Sequence, residues 1–243
     1  RGTYGVTIVN NAKELVDAYF DAVCHSPSLT LICEKFIEGE LVTVDGFCFS
    51  NGHQSLTVAS RKFSEGKKPV TKSVSYPSRH NDEIKSRLLK NHQQVVEALA
   101  YDFGHTHGEY FITNKNEIYL VECANRGAGV YTSSTINPLI TDIDLNEIFL
   151  NQALGTDDFE VEHKKINYMC KAAKLSFLYF EVGKVIKSIN VQEVKKLPFV
   201  LQFRTIYAEK QMVESIENCA SRHAMLVVEG SDKNELSSNL DIF

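Results

Sequence analysis

The stretch HGEYFITNKNEIYLVECANRGAG, residues 107–129, contains two runs of strand-forming residues around the polar segment TNKNE. Aromatic and β-branched runs on either side of turn-forming residues are typical of a β-hairpin. If the turn is centred between Lys115 and Asn116, Glu109 and Glu122 lie directly opposite each other. The Cβ atoms of opposed residues in a β-ladder are only ~5 Å apart. The sequence therefore predicts two close carboxylates on one face of a sheet.

Two carboxylates at this distance repel each other, so the fold must compensate them. Three arrangements do so: a shared proton that raises one pKa, a bound divalent cation such as Mg²⁺, or an exposed pair that is solvated and splayed. Arg126 and the turn GAG at 127–129 follow immediately. A cation and a turn that exposes its backbone, placed beside an anionic pocket, suit a nucleoside triphosphate. This neighbourhood favours the metal.

The composition of the chain narrows the classes of partner. The 243 residues are 43% apolar and 23% charged, with a net charge of −5 and an isoelectric point near 5.9. This balance suits an ordinary globular protein and gives no sign of a nucleic-acid or anionic-membrane partner. The sequence has no long apolar run that predicts a membrane span. Six scattered cysteines without a CxxC pair favour free thiols and a cytoplasmic location.

Several further elements are predicted from periodicity and turn chemistry. Helices are expected from Asn11 onward, with a capping box, and over 81–101, 141–154 and 233–240. Strands are expected over 29–37, and over 41–49 and 55–61 as a hairpin with an Asn-Gly turn. Residues 64–79 are expected to form a loop that is either solvated or a lid over an anionic substrate. Short strands are expected over 168–180, 183–189, 199–207 and 224–228.

The pattern H-x-E, hairpin, L-V-E-x-x-x-R-x-x-G resembles the magnesium-binding core of the ATP-grasp superfamily. The likeness is to carboxylate–amine ligases in particular, and also to carbamoyl-phosphate synthases. The earlier stretch EKFIEGE, residues 34–40, is similar to the segment that binds adenine and ribose in that family. The resemblance spans about residues 1–155. It implies an α+β fold in which an antiparallel sheet carries packed helices, with a smaller β-rich carboxy-terminal lobe over 156–243.

The resemblance also assigns the residues of a catalytic site. Glu109 and Glu122 would hold Mg²⁺, with Mn²⁺ as an alternative ion. Arg126 would stabilise the transferring phosphoryl group or the acyl phosphate. Lys62, after a strand that ends in Arg-Lys, would reach the transferred phosphate. His107 would hydrogen-bond a phosphate or a substrate carboxylate, and a zinc role for the histidines at 105 and 107 is the weaker alternative.

A second set of residues would bind ATP. Gly2 and Thr3 belong to the glycine loop GTYG, which resembles the loop that covers the triphosphate in the family; an ordinary turn is the alternative. The backbone around Lys35 and Ile37 would read the adenine edge, with Glu34 assisting. Glu40 would hold the ribose hydroxyl groups. Residues 131–135 are candidates for substrate specificity.

One position departs from the family pattern. Many relatives have Asn two residues after the second Glu, as a further metal ligand, and this chain has Ala124 there, with Asn125 beside it. Adjacent strand residues point to opposite faces, so Asn125 replaces that ligand only if the strand bulges. The number of bound ions therefore stays open.

The resemblance implies a ligase that phosphorylates a small-molecule carboxylate with ATP and then joins it to an amine. The alternatives are an ATP-grasp kinase and a non-catalytic ATP-binding module. The chain starts within a glycine loop, after the family's phosphate-binding lysines, so the 243 residues are expected to be a carboxy-terminal fragment that is inactive alone. The identity of both substrates stays open, and so does a homodimer.

Overall fold

The computed structural model describes residues 4–64, 70–156, 171–216 and 218–243. The described strands are, in chain order, β1 Glu40–Phe49, β2 Gly52–Phe63, β3 Thr71–Tyr76, β4 Gly104–Ile112, β5 Ile118–Ala124, β6 Ala172–Leu178, β7 Val200–Thr205 and β8 Ala224–Gly230. They form one antiparallel sheet in the order β5-β4-β1-β2-β3-β6-β8-β7. The predicted α+β fold with an antiparallel sheet is therefore confirmed.

The described α-helices are α1 Ala12–Val23, α2 Asp82–Ala98, α3 Asn137–Thr141, α4 Leu145–Leu154, α5 Val191–Lys196 and α6 Lys233–Leu240. A π-helix, Thr132–Ile136, precedes α3, and a 3₁₀-helix, Cys219–Ser221, precedes β8. None of these helices combines the length and the apolar character that a membrane span requires.

Helix α2 covers one face of the sheet because its buried residues recur every four positions: Ile84, Leu88, His92 and Val96. Ile84 and Leu88 join a cluster that includes Val42, Val44, Val58 and Tyr110 on the strands beneath. Burying an apolar side chain of this size stabilises a fold by about 1.5–3 kcal/mol. Asn81 caps the helix through its side chain, which accepts from the Ile84 amide.

The opposite face of β2, β3 and β6 is covered by the segment that follows the hairpin. Ile136 and Ile140 pack there with Ala59, Tyr76 and Leu175. At the Phe47–Phe49 end of β1 the same face is covered by Ile143, Leu145 and Ile148. Thr43 and Asp45 of β1, with their partners Glu109 and His107 on β4, lie farther along that face. The candidate site lies there.

The amino-terminal region differs from the prediction in two respects. Asn11 caps α1 as predicted, but the helix has no buried residue, and Phe20 is 60% exposed. The strand predicted over 29–37 is wrong: the backbone there is irregular, and Ile32 is 83% exposed. A strand exists only when a neighbour pairs with its amide and carbonyl groups, and no described strand pairs with this segment.

Three other predictions are corrected. The loop predicted over 64–79 contains β3, which pairs with β2 and β6, and residues 65–69 lie outside the described part. The strand predicted over 183–189 is reduced to one bridge between Val185 and Met212. The helix predicted over 141–154 begins later, as α4 at Leu145, because Thr141 ends α3 and Asp142 after it adopts a left-handed conformation with φ 57°.

The carboxy-terminal strands continue the main sheet, since β6 pairs with β3 and β8 pairs with β6 and β7. The boundary predicted between residues 155 and 156 lies next to residues 157–170, which are outside the described part. The division into two domains stays a prediction.

Candidate active site

Glu109 on β4 and Glu122 on β5 are direct partners in the antiparallel ladder, so the predicted pairing of these two residues is confirmed. Their surroundings differ, because the Glu109 side chain is 17% exposed and the Glu122 side chain is 56% exposed. The pair therefore has an inner carboxylate held by the protein and an outer one that a ligand can reach.

The inner carboxylate lies between two basic side chains. Arg61 Nη2 is 2.8 Å from Glu109 Oε1, and His107 Nε2 is 3.5 Å from the same oxygen. Burial alone would raise the pKa of Glu109, but His107 and Arg61 outweigh it and hold the pKa at about 2. Glu109 is therefore ionised across the physiological range.

A buried ion pair orients His107. Its Nδ1–H donates to Asp45 Oδ1 at 2.7 Å, and the Tyr76 hydroxyl donates to Asp45 Oδ2 at 2.8 Å. Burial alone would lower the pKa of His107, but the charge and hydrogen bond of Asp45, together with Glu109, raise it to about 9. Two hydrogen bonds fix both oxygens of Asp45, so the imidazolium ring has one preferred orientation.

Asp45 was not predicted from the sequence as a site residue, although one signal was present. The residue interrupts the apolar run of β1, where Val42 and Val44 are fully buried. An ionised side chain in such a run requires a charged or hydrogen-bonding partner. That partner is His107, opposite it in the ladder between β1 and β4.

The basic residue near the carboxylates is Arg61 and not Lys62. Arg61 pairs with Val74 and Lys62 with Ser73, so the two side chains point to opposite faces of β2. Arg61 contacts Glu109, whereas Lys62 is exposed and lies near Lys174 on the other face. The structure therefore does not bring the predicted Lys62 to the carboxylate pair.

Arg126 lies beside the outer carboxylate. Its Nη2 is 3.8 Å from Glu122 Oε1, and its Nη1 donates to the Gly127 carbonyl. Asn125 Nδ2 donates to the carbonyls of Phe103 and His105, at 2.7 and 3.1 Å. Asn125 is thus used to fix the backbone.

The residues predicted to bind ATP lie in several different surroundings. Gly2 and Thr3 lie outside the described residues. Glu34 and Lys35 are exposed and Ile37 is half-buried, all on irregular backbone. Glu40, the predicted ribose ligand, accepts instead from Arg79 Nη2 at 2.6 Å and Arg79 Nε at 3.0 Å.

A cavity of about 240 Å³ adjoins the carboxylate pair and includes Arg61 and His107 in its wall. Ala128, Gly129, Val130 and Thr132 form the side of the cavity contributed by the segment after the hairpin. Val130 and Tyr131 have φ values of 51° and 60°. Such values are uncommon for residues other than glycine and are a genuine outlier for a β-branched one. Strained backbone and π-helical turns are both frequent at functional sites.

The site fits a magnesium ion only in combination with a ligand. Among the described residues, no group of three or more His, Cys, Asp or Glu side chains could hold a metal alone. Mg²⁺ commonly binds through one or two carboxylates together with substrate phosphates. The paired Glu109 and Glu122 meet that requirement. Ala124, which lies opposite His107, has no side-chain atom that could coordinate the metal.

Comparison with known proteins gives the family and the fold. No curated protein matches the chain significantly. The L-amino acid ligase from Bacillus licheniformis matches with a TM-score of 0.81 at 17% identity, over 98% of this chain and 59% of that one. Phosphoribosylglycinamide synthetase from Anaerococcus prevotii matches with a TM-score of 0.70 at 16% identity, over 96% of this chain and 58% of that one. Biotin carboxylase from Campylobacter jejuni matches with a TM-score of 0.71 at 15% identity, over 100% of this chain and 54% of that one.

These identities show a shared fold, and the chain spans less than two thirds of each of the three proteins. The family itself is shown by a separate match. A family model described as an ATP-grasp domain matches residues 2–134, more than half of the chain. The chain therefore belongs to the ATP-grasp family.

Proposed function

We propose that the protein is an ATP- and Mg²⁺-dependent ligase that joins a small-molecule carboxylate to an amine. The observation that carries this proposal is the direct pairing of Glu109 and Glu122 beside a cavity with basic side chains in its wall. A two-carboxylate site without further metal donors is suited to a cation whose remaining ligands are phosphate oxygens. Family membership makes ATP the nucleotide to test.

Glu109 and Glu122 would hold the metal, whose chemistry would be to neutralise negative charge on the phosphates. Arg61 already touches Glu109 and can share its remaining N–H donors with a phosphoryl group. Arg126 is 56% exposed, with a long contact of 3.8 Å to Glu122 and one hydrogen bond to the adjacent Gly127 carbonyl, so it would turn toward the transferring phosphoryl group by giving up that bond. Preorganised cations of this kind are a large source of catalytic stabilisation.

The reaction would proceed in two transfers. An oxygen of the substrate carboxylate attacks the γ-phosphorus of ATP, the bond to the ADP oxygen breaks, and an acyl phosphate forms. The amine then attacks the acyl carbon, the bond to the phosphate oxygen breaks, and the amine loses a proton as the amide forms. Neither step requires a covalent protein nucleophile. The chain would bind, orient and shield the reactants.

His107 would act as a fixed hydrogen-bond donor near the carboxylate pair. Its orientation depends on Asp45, and Asp45 is only 2% exposed. The adenine and ribose roles of Glu34, Lys35, Ile37 and Glu40, and the triphosphate role of the loop at Gly2 and Thr3, remain part of the same proposal.

We also propose the partners and the cellular location of the protein. Small-molecule carboxylates and amines would be the partners, and a homodimer is compatible with that. Among the described cysteines, Cys24, Cys33, Cys48 and Cys123 are free thiols. Free thiols support a reducing compartment, the cytoplasm.

One observation favours a second candidate, an ATP-binding module without turnover. Ala124 lies opposite His107 in the ladder, and an alanine methyl group cannot coordinate a metal. If a further ligand is needed for catalysis, this chain would bind the nucleotide without consuming it.

The test measures phosphate release and amide formation by the intact protein with ATP, Mg²⁺ or Mn²⁺, and a panel of amino-acid pairs. Glu122→Gln should lower kcat/KM by about 100-fold or more, the range seen when one electrostatic group of an active site is removed. Glu181→Gln, at a 76% exposed position, is the matched control. A phosphorylated hydroxyl product would identify a kinase, and ATP binding without consumption would identify the non-catalytic module.

A further inference from the structure

The wall of the cavity contains basic side chains. Three basic side chains line it, Arg61, His107 and Arg222, and no aspartate or glutamate does so among the described residues. Arg61 is paired with Glu109 and His107 with Asp45. Arg222 makes no ion pair within the described ranges. The cavity therefore contains one cation whose charge is not balanced by a neighbouring carboxylate.

Arg222 is held in place without using its hydrogen-bonding capacity. It stands two residues before β8, and its guanidinium carbon lies 3.5 Å from the centre of the Phe177 ring. Stacking on an aromatic face fixes the plane of a guanidinium group while its edge remains available for donation. Nε of Arg222 and Nε of Arg61 are buried and have no hydrogen-bond partner in the part of the chain that the structure describes. Buried donors without partners call for a ligand or a solvent molecule at that place.

The remaining wall combines apolar side chains with Tyr76 and the three threonines Thr43, Thr71 and Thr132. Val74, Leu175 and Phe177 contribute side chains that are at most 7% exposed in the whole protein, and Val130 contributes another from the strained segment. Such a wall favours a hydrocarbon group and penalises a second charged group. The combination of one unpaired cation and an apolar wall selects an amphipathic ligand.

The volume limits the size of that ligand. Pockets for drug-sized ligands have volumes of about 300–1,000 Å³, so a cavity of about 240 Å³ suits a smaller molecule. The size is that of a free amino acid or a comparable small acid.

We propose that this cavity binds a small monocarboxylate substrate with an apolar side chain, and that Arg222 determines its specificity by binding the carboxylate. The inference rests on the proposed ligase function, because it supplies the acid or amino acid that such an enzyme would join. Arg222 lies outside residues 2–134, the range of the family match. The specificity is thus assigned to the carboxy-terminal part of this chain.

Calorimetric titrations of the protein with three probes test the assignment: 4-methylpentanoate, its amide and acetate. We expect 4-methylpentanoate to bind about tenfold or more tightly than the amide, which lacks the charge that Arg222 recognises. Acetate should also bind about tenfold or more weakly, since it cannot fill the apolar wall. Inorganic phosphate is titrated separately, because two guanidinium groups also suit that anion.

Arg222→Gln should weaken 4-methylpentanoate binding by about tenfold or more, and Arg222→Lys should restore part of the loss because the charge remains but the planar fork does not. Arg204→Gln removes the same charge from an exposed position on β7 and should leave the affinity unchanged. Equal affinity of the native protein for the acid and the amide would overturn the proposal without any variant. Tighter binding of phosphate than of the acid would overturn it too, as would full affinity in Arg222→Gln.

Titration of Mg·ATP into the same preparations separates the two proposals. Nucleotide binding without discrimination between acid and amide refutes the role of the cavity alone. Discrimination between acid and amide without nucleotide binding supports that role and refutes the ligase.

Discussion

Replacing the buried pair Asp45 and His107 by neutral amides, in the double variant Asp45→Asn/His107→Gln, should flatten the pH dependence of stability above pH 6.5. The Asp45 and His107 side chains are 2% and 5% exposed, and their contact is 2.7 Å long. Changing both avoids the heavy cost of leaving one buried charge unpaired. The Tyr76 hydroxyl keeps an oxygen acceptor, because the amide introduced by Asp45→Asn retains a carbonyl oxygen.

The magnitude follows from the pKa of His107, which rises from 6.5 to about 9 on folding. A tenfold change in a protonation equilibrium is worth about 1.4 kcal/mol, so the full effect is roughly 3 kcal/mol. The folded state keeps a proton that the unfolded state has lost between these two values. The stabilisation is therefore complete below pH 6.5 and is lost as the pH rises toward 9.

Other buried histidines affect the stability of the fold in a different pH range. Burial, with the charge of His53, lowers the pKa of His92 from 6.5 to about 3, and burial also lowers the pKa of His53 and His105. These groups are neutral when folded and protonated when unfolded at acid pH. Their contribution is lost as the pH falls below 6.5, so the native protein should be most stable near pH 6.5.

Urea unfolding followed by far-ultraviolet circular dichroism at a series of pH values measures this, since the chain has no tryptophan for fluorescence. The native protein should lose roughly 3 kcal/mol between pH 6.5 and 9, and the double variant should lose almost none of it. His25→Gln, at an exposed position, should behave as the native protein does. Parallel profiles of the double variant and the native protein over this range would refute the charged pair.

Two smaller predictions concern the backbone. Gly108→Ala should cost about 1–3 kcal/mol of unfolding free energy, because a Cβ atom there would lie 2.6 Å from His92 Nδ1. Gly129→Ala, where a Cβ atom has no neighbour within 4 Å, is the control in urea unfolding. Equal losses of unfolding free energy in the two variants would contradict crowding at Gly108 as the cause. Asp142→Gly should raise the stability by up to about 1 kcal/mol, since Asp142 ends α3 at φ 57° and glycine adopts that conformation without strain. A melting temperature that falls would contradict this.

Local chemistry made the hairpins predictable. Alternating residues and a short turn indicated β1 and β2, and the structure joins them by a two-residue connection, with Phe49 opposite Gly52. The hairpin of β4 and β5 was predicted in the same way. In both cases the turn residues and the paired strands are close in sequence, so that neighbouring residues carry enough information.

Non-local contacts explain what the sequence did not reveal. The choice between Arg61 and Lys62 depends on which residue of β2 faces the carboxylates. The pairing of β2 with β1 and β3 decides this. Arg222 reaches the cavity only because β8 joins the sheet through β6. No periodicity within one segment encodes such neighbours.

The pairing of Glu109 with Glu122 was predicted from a turn placed half a residue away from the one in the structure. The turn spans residues 113–117, where the Thr113 amide donates to the Glu117 carbonyl at 3.0 Å, so its centre is at Lys115. A regular ladder from that centre would place Glu109 opposite Val121.

A β-bulge restores the pairing. The register shifts between Glu109 and Tyr110, so that Val121 is the additional residue on β5 and Glu122 returns to the position opposite Glu109. Bulges increase the local twist, redirect a side chain and recur beside active sites. The two carboxylates therefore meet because of an irregularity in the strand, and a perfectly regular hairpin of the same sequence would separate them.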